Sequence, residues 1–424
     1  MPAPQPLSRR TFLYLSWAAF VSACTAPGRP TVTSIPTPSR TALPADPVAA
    51  VTPTLFPTPS PAMTSTLAMN AKRIHPDDPH ITYSGRIDFS DPKRPRFSAP
   101  GVYIRAAFRG TAAAVWLEDE FKWGHDRNYY DVVLDGTAVF KLAPQKTVQR
   151  YVAFTGLPQG EHTLTLHKRT EAGIGFSEFL GFEFDGEILP SAPRSARRIE
   201  WIGDSITCGA GNEAANESPE CLEDGWGQPY HNARLSYAAI TARRLQAEYH
   251  LTAVSGIGLV RNYSNQYDAR PLPEVYDLIY LENAGSPAWE PARFVPDVLS
   301  IALGTNDFSP GDGDRPRMDV DTFASAYLQF AGKLRRYYPA AHIFCVSSPM
   351  LGDGWPEAAD RFATRQREAI SQVVDDFNRR GDEKVHKFFS THLSGRGCGT
   401  HPDVAQHEFL AEELSAAIAS VMGW

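Results

Sequence analysis

The hydrophobic and polar positions of this 424-residue chain follow two different patterns. Between about residues 81 and 190, short apolar runs partly alternate with polar positions and are rich in β-branched and aromatic side chains. Short alternating runs with turns between them are typical of antiparallel strands. This pattern in the first half of the chain therefore predicts an all-β sandwich of jelly-roll type over residues 73–193. The clearest runs are residues 102–108, 114–117, 130–134, 162–167 and 182–184.

After Pro193 the pattern changes to strands that alternate with helices. Compact apolar runs predict buried parallel strands, and apolar residues three and four positions apart predict helices between them. This alternation predicts an α/β doubly wound parallel sheet, a flavodoxin-like three-layer fold, over residues 194–424. The predicted strands are 198–202, 298–303 and 343–347, and the predicted helices are 236–249, a segment ending near Pro339, 362–377 and the C-terminus.

The first 24 residues predict an export signal. Arg9 and Arg10 precede a short apolar run that closes on Val-Ser-Ala-Cys at Cys24. The arginine pair resembles a twin-arginine signal, and the run that ends at Cys24 resembles a bacterial lipobox, in which the cysteine is lipidated. We expect an exported, membrane-anchored lipoprotein that faces the periplasm or the cell exterior; the alternative is a plain signal peptide. Residues 25–72, dominated by Pro, Thr, Ser and Ala, predict a disordered linker.

Composition narrows the range of partners. A net charge of −7 and a pI of about 6.0 argue against nucleic acid as a partner. We expect contact with a membrane only through the lipid anchor. In an exported protein, Cys208 and Cys221 are candidates for a disulfide, and buried free thiols are the alternative. The spacing of Cys and His predicts no metal site, and we expect no cofactor.

Candidate chemistry follows the predicted strand ends. Ser205, in Gly-Asp-Ser, is a candidate nucleophile, and His401 is a candidate base. The backbone N–H groups of Ser205 and Gly256 and the amide of Asn306 are candidate donors to an oxyanion. Each residue also fits a plainer role, such as helix cap, turn or surface histidine, but their order and positions at strand ends favour a hydrolase site.

These blocks resemble those of a known family. Gly203-Asp204-Ser205, Gly256, Gly304-Thr305-Asn306-Asp307 and His401-Pro402 are similar to the four blocks of the SGNH (GDSL-type) hydrolases. The sandwich in front and the extended motifs resemble carbohydrate esterase family 2 more narrowly. That resemblance implies an extracellular serine esterase that removes O-acetyl groups from xylan- or mannan-type polysaccharides through an acyl-serine. Alternatives are an SGNH lipase or thioesterase and a non-catalytic carbohydrate-binding surface protein.

Two details refine this hypothesis. Most SGNH enzymes have an aspartate three residues before the histidine, whereas this chain has Cys398 at that position. We therefore expect a Ser-His dyad in which a backbone carbonyl or a more distant carboxylate accepts a hydrogen bond from the ring N–H of the histidine. The substrate would be an acetylated polysaccharide or oligosaccharide. Trp355 and Tyr276 are candidates to hold its sugar rings through their aromatic faces, with core packing as the alternative for Tyr276.

Overall fold

The computed structural model describes residues 71–122, 124, 126–223, 228–263, 270–281, 285–311 and 315–424. The predicted export signal, Cys24 and nearly all of the predicted linker lie outside these residues. Within the described residues, no helix has the length and apolar character that crossing a membrane requires.

The first half is a sandwich of two antiparallel sheets, as predicted. Along β4, residues that face the core alternate with more exposed ones, which is the pattern that a strand with one buried face requires. Phe97, Val115, Tyr130 and Phe182 are fully buried between the sheets. The strands are β1 Lys72–Ile74, β2 Thr82–Ser84, β3 Arg96–Phe97, β4 Tyr103–Gly110, β5 Ala113–Asp119, β6 Tyr130–Leu134, β7 Ala138–Leu142, β8 Gln149–Phe154, β9 Gly160–Lys168, β10 Ser177–Phe184 and β11 Glu187–Leu189.

The two sheets of the sandwich have a mixed strand order. One sheet runs β1-β10-β5-β8 with β3 beside β10, and the other runs β11-β4-β9-β6-β7 with β2 beside β4. Strands distant in sequence are therefore neighbours in space, as in jelly rolls. A short 3-10 turn at Ala172–Ile174 separates β9 from β10.

The second half is a parallel sheet with helices on both faces. Its strand order among the described residues, β13-β12-β14-β15-β16, is the flavodoxin-like order, which confirms the predicted fold class. Its strands are β12 Arg198–Gly203, β13 Glu248–Ala253, β14 Val298–Ala302, β15 His342–Val346 and β16 Val385–Phe388. Its helices are α1 Ser205–Cys208, α2 Pro219–Glu223, α3 Tyr237–Arg244, α4 Leu272–Val275, α5 Thr305–Phe308, α6 Val320–Tyr337, α7 Phe362–Arg379 and α8 Val404–Met422.

The helix predicted over 236–249 is wrong in its last part. The structure ends α3 at Arg244 and begins β13 at Glu248. β13 is buried although it contains polar residues, because the sandwich covers it and forms hydrogen bonds to two of them. The Tyr103 hydroxyl donates to the Glu248 carboxylate, and Ser84 Oγ donates to Tyr249 O at 2.8 Å. A hydrophobic pattern read from one segment does not reveal partners on another domain.

A buried ion pair joins the sandwich to β12. Arg86, which is fully buried, donates from Nη2 to Glu200 Oε1 at 3.2 Å and from Nη1 to Leu278 O at 2.7 Å. The Tyr276 hydroxyl donates to the other carboxylate oxygen of Glu200 at 2.8 Å, and Thr252 Oγ1 donates to Oε1 at 2.7 Å. Each oxygen of the buried carboxylate therefore has a donor, which such a pair needs to offset its desolvation.

This packing corrects one site prediction. Tyr276 has no exposed surface, and its ring lies 4.7 Å from the Arg86 guanidinium. A side chain enclosed in this way cannot stack on a sugar ring. The prediction that Tyr276 binds substrate is wrong, because the residue completes the contact between the two halves.

Removing one partner of this pair should destabilise the whole protein. Arg86→Ala leaves Glu200 charged and buried without its cation, which typically costs about 3–5 kcal/mol. We expect a large fall in the urea midpoint, measured by tryptophan fluorescence. Arg109→Ala is the control, because its ion pairs with Glu161 and Glu187 are exposed and its midpoint should stay unchanged. Equal midpoints for the two variants would contradict a structural role for the buried pair.

Candidate active site

Ser205 lies where β12 turns into α1, at the carboxyl end of the parallel sheet. Asp204 caps this helix by accepting a hydrogen bond of 3.1 Å from Ile206 N–H. The turn needs glycine at position 203, because a Cβ there would lie 2.1 Å from Thr207 Oγ1. These contacts place Ser205 in the first turn of the helix, at the edge of the sheet where ligands bind in such folds.

Ser205 and His401 are in direct contact. The hydroxyl Oγ of Ser205 is 2.8 Å from Nε2 of His401, and Nδ1 of the same ring is 3.2 Å from the carbonyl oxygen of Cys398. A carbonyl can only accept, so Nδ1 carries the ring proton and Nε2 is the acceptor for the serine hydroxyl. The two side chains are 6% and 8% exposed. The pair predicted from the sequence is therefore brought together in the tautomer that base catalysis needs.

Burial lowers the pKa of His401 to about 4, although its hydrogen bond to the Cys398 carbonyl opposes that change. Desolvation penalises the imidazolium more than the neutral ring, which explains the direction. At neutral pH the ring is therefore uncharged. It can accept the proton of Ser205.

A disulfide holds the segment that orients His401, and it corrects another prediction. Cys221 and Cys398 are joined by a disulfide, with Cα atoms 5.4 Å apart, whereas Cys208 is a buried thiol of α1 that takes no part in this bond. The predicted Cys208–Cys221 pair is wrong, because the turn after β12 directs Cys208 into the core. Cys398 N–H also donates to Gly211 O at 3.0 Å. The carbonyl that binds His401 thus belongs to a residue fixed on both sides.

The three candidate oxyanion donors come from neighbouring strand ends. Gly256 follows β13 with φ +77°, Ser205 follows β12, and Asn306 lies in α5 after β14. Among the described residues, no group accepts a hydrogen bond from the backbone N–H of Ser205 or Gly256. Asn306 Nδ2 donates one hydrogen bond of 2.7 Å to Ile257 O, and its second N–H has no acceptor among the described residues. The sheet order makes these loops adjacent, as an oxyanion site requires.

Asp307 supports the same loop and was missed as a functional residue. Its carboxylate accepts hydrogen bonds from the backbone N–H groups of Leu259 at 2.9 Å, Val260 at 2.7 Å and Arg261 at 3.0 Å. Burial raises the pKa of Asp307, and these bonds oppose the change. The signal in the sequence was its place directly after Asn306, but nothing local shows what it binds.

Two exposed aromatic residues lie on segments that follow strands of the parallel sheet. Trp355 is 65% exposed, on a loop that begins beside Ser348, whose Oγ accepts a hydrogen bond of 2.9 Å from Thr305. Its predicted contact with substrate stays a prediction. Tyr263 is 44% exposed, and its backbone N–H donates to Gly256 O at 2.8 Å, which places this residue beside the Gly256 loop. Tyr263 has no signal in the sequence, because only the fold brings its segment back to Gly256.

In this chain a flavodoxin-like sheet carries a serine after β12, and that serine is hydrogen-bonded to a histidine before the last helix. This arrangement is typical of the GDSL-like, or SGNH, class of hydrolases. The family model of GDSL-like lipases/acylhydrolases matches residues 201–409, and that of the carbohydrate esterase 2 N-terminal domain matches residues 83–193. A solved family two carbohydrate esterase from Clostridium thermocellum, in complex with cellohexaose, is similar, with 36% identity and a TM-score of 0.72 over 81% of this chain and 99% of that one. The chain belongs to carbohydrate esterase family 2 and is a carboxylic ester hydrolase.

Relatives with assigned activities are also similar to this chain. Cellulase/esterase CelE of Acetivibrio thermocellus is 38% identical over 353 residues, which is 82% of this chain but 40% of that relative. An acetylxylan esterase / glucomannan deacetylase of Cellvibrio japonicus is 29% identical over 366 residues, 85% of this chain and 94% of that relative. The chain thus spans less than half of the first relative and almost all of the second.

Proposed function

We propose that this protein removes O-acetyl groups from a polysaccharide of the acetylxylan or acetylated mannan/glucomannan type. The observation that carries the proposal is the hydrogen bond of 2.8 Å between Ser205 and His401, with the Gly256 and Asn306 loops at the adjacent strand ends. The relatives named acetylxylan esterase and glucomannan deacetylase support this choice of substrate. The complex of a related esterase with cellohexaose supports a glycan as the ligand.

The proposed reaction has two half-reactions. His401 Nε2 accepts the proton of Ser205 as Oγ attacks the acetyl carbonyl, and the oxyanion accepts hydrogen bonds from Ser205 N–H, Gly256 N–H and the Asn306 amide. The imidazolium then donates its proton to the ester oxygen of the sugar as the bond from that oxygen to the acetyl carbon breaks, so the sugar leaves as a hydroxyl and acetyl-Ser205 remains. Water, activated by the same histidine, attacks the acetyl carbonyl and releases acetate, which restores the free serine.

The base acts in a dyad in this proposal. The Cys398 carbonyl fixes the proton on Nδ1 of His401, which is the task that an aspartate performs in most catalytic triads. Two acids close in sequence to His401 and Asn306 bind elsewhere. Asp403 accepts a hydrogen bond of 2.8 Å from Gln406 N–H as the cap of α8, and Asp307 binds the loop after Gly256.

The dyad predicts an acid-tolerant esterase. Only the neutral imidazole can accept the serine proton, so kcat/KM should stay high down to about pH 5 and fall as the pH drops through the His401 pKa of about 4. We would measure kcat/KM for 4-nitrophenyl acetate against pH. Asp204→Asn is the control, because burial raises the pKa of Asp204 to about 6 and its titration must be separated from that of His401. An acid limb near the ordinary histidine value of about 6.5 in both proteins would contradict the proposal.

Acetate release tests the substrate class. The protein should release acetate from acetylated xylan or glucomannan much faster than it hydrolyses a medium-chain fatty ester, and Ser205→Ala should abolish both activities. Trp355→Ala should lower polysaccharide activity by about tenfold and leave 4-nitrophenyl acetate turnover unchanged, because an exposed ring serves sugar binding only. Tyr337→Ala is the matched control, since this exposed ring lies at the C-terminal end of α6, which leads into the amino end of β15.

Two outcomes would replace this function by another. Faster turnover of the fatty ester would favour a lipase or thioesterase. If an organophosphorus probe failed to label Ser205, a non-catalytic carbohydrate-binding protein would be favoured instead.

For the cellular location, we propose an exported lipoprotein anchored through Cys24. Arg9, Arg10 and the apolar run that ends at Cys24 motivate this proposal. Radiolabelled palmitate should enter the wild-type protein and be lost in Cys24→Ala, whereas Cys208→Ala should keep the label because its thiol is buried. A wild-type protein that takes up no label would favour the plain signal peptide, and label that persists in Cys24→Ala would place the lipid on another residue.

A further inference from the structure

The loop that presents Gly256 is held from the sandwich. Glu171 lies between β9 and β10, and its Oε2 accepts a hydrogen bond of 3.0 Å from Ser255 N–H. The next peptide group along the chain carries the N–H of Gly256. We propose that Glu171 is a positioning residue, supplied by the sandwich, that keeps this N–H in the orientation that oxyanion binding requires.

Glu171 is itself rigidly placed. The buried Lys168 ammonium donates to Thr170 O at 2.7 Å and to Glu171 O at 3.1 Å, which fixes the backbone on both sides of the carboxylate's attachment. The next residue, Ala172, packs in the same apolar cluster as Val254 and Ile257 of the hydrolase half. The Glu171 carboxylate therefore belongs to a segment that packs directly against the Gly256 loop.

The other carboxylate oxygen of Glu171 lies toward His231, which is linked through Gly211 to the segment that orients His401. Its Oε1 is 3.9 Å from Nε2 of His231, whose Nδ1 accepts a hydrogen bond of 2.7 Å from Gly211 N–H. Gly211 O in turn accepts from Cys398 N–H, and the Cys398 carbonyl orients His401. The carboxylate thus lies between the two loops that must keep their geometry during catalysis, although its direct hydrogen bond is to the oxyanion loop.

Burying the Glu171 carboxylate costs desolvation free energy, and the fold of the sandwich does not require this burial. Glu171 is 6% exposed, and within the described residues the hydrogen bond to its carboxylate comes from the hydrolase half. Glu183 is a useful contrast at 8% exposed. It accepts hydrogen bonds from Trp116 and Arg150, both on strands of the sandwich.

Geometry and charge have opposite effects here. A negative charge near a developing oxyanion raises the energy of the transition state, whereas a fixed acceptor for Ser255 N–H lowers it through preorganisation. Glutamine keeps an acceptor oxygen and removes the charge. If Glu171 acts by position, Glu171→Gln should preserve the activity that shorter side chains lose.

The inference rests on the proposed hydrolysis at Ser205 but not on the polysaccharide substrate, so 4-nitrophenyl acetate is the probe. We expect Glu171→Ala and Glu171→Asp to lower kcat by about 10- to 100-fold, less than or equal to the loss of a whole oxyanion donor, with KM changed by less than about threefold. Glu171→Gln should keep kcat within about threefold, and Glu183→Gln is the matched control that should resemble wild type. Phosphonylation of Ser205 by an organophosphorus ester, whose oxygen occupies the oxyanion site, should slow in parallel with kcat.

Each outcome decides between a positioning and a structural role. Unchanged kcat in folded Glu171→Ala or Glu171→Asp, or an equal loss in the Gln variant, would overturn the inference. If the Ala variant does not fold, the Asp variant decides, because it keeps the charge and shortens the reach by one methylene. A wild-type protein inactive on the aryl acetate would refute the proposed function instead, which keeps the two failures distinct.

Discussion

The buried contact between Arg86 and Glu200 is the constraint on which the two halves of this molecule depend. Glu200 lies in the middle of β12, three residues before Gly203 and the turn that leads to Ser205. A charge enclosed in this way is tolerated only when its partners are in place, so β12 reaches its final environment only with the sandwich docked. The sandwich is therefore part of the catalytic unit, because it sets the position of the strand that ends at Ser205.

The chemistry depends on how a parallel sheet orders its strand ends. β13, β12 and β14 are neighbours, so the loops after them bring Gly256, Ser205 and Asn306 to one edge although long segments separate them in sequence. The base is held differently. The Cys398 carbonyl fixes its tautomer through a dipole without a full charge, so burial dominates the electrostatics of His401 and keeps the ring neutral.

Sequence patterns predicted those parts of the structure that are local. The turn at Ser205, the alternation of strands and helices, and the pairing of Ser205 with His401 depend on short motifs at strand ends. The parts that were wrong or missed depend on contacts across the molecule. β13 contains Glu248, which binds Tyr103 of the sandwich, Tyr276 is packed against Arg86, and Cys221 pairs with a cysteine 177 residues away. Glu171 and Asp307 were missed for the same reason, since a carboxylate that binds a remote backbone has no local signature.

The disulfide has a consequence for the protein after proteolysis. It closes a covalent ring of chain that contains β13 to β16, with Ser205 before the first linked cysteine and His401 after the second. A single cut anywhere in that ring produces two fragments, one carrying Ser205 and the other His401, that remain bonded through sulfur. The hydrogen-bonded Ser205 and His401 thus stay in one covalent molecule after nicking, and a nicked protein would run as one band on a denaturing gel until a reductant is added.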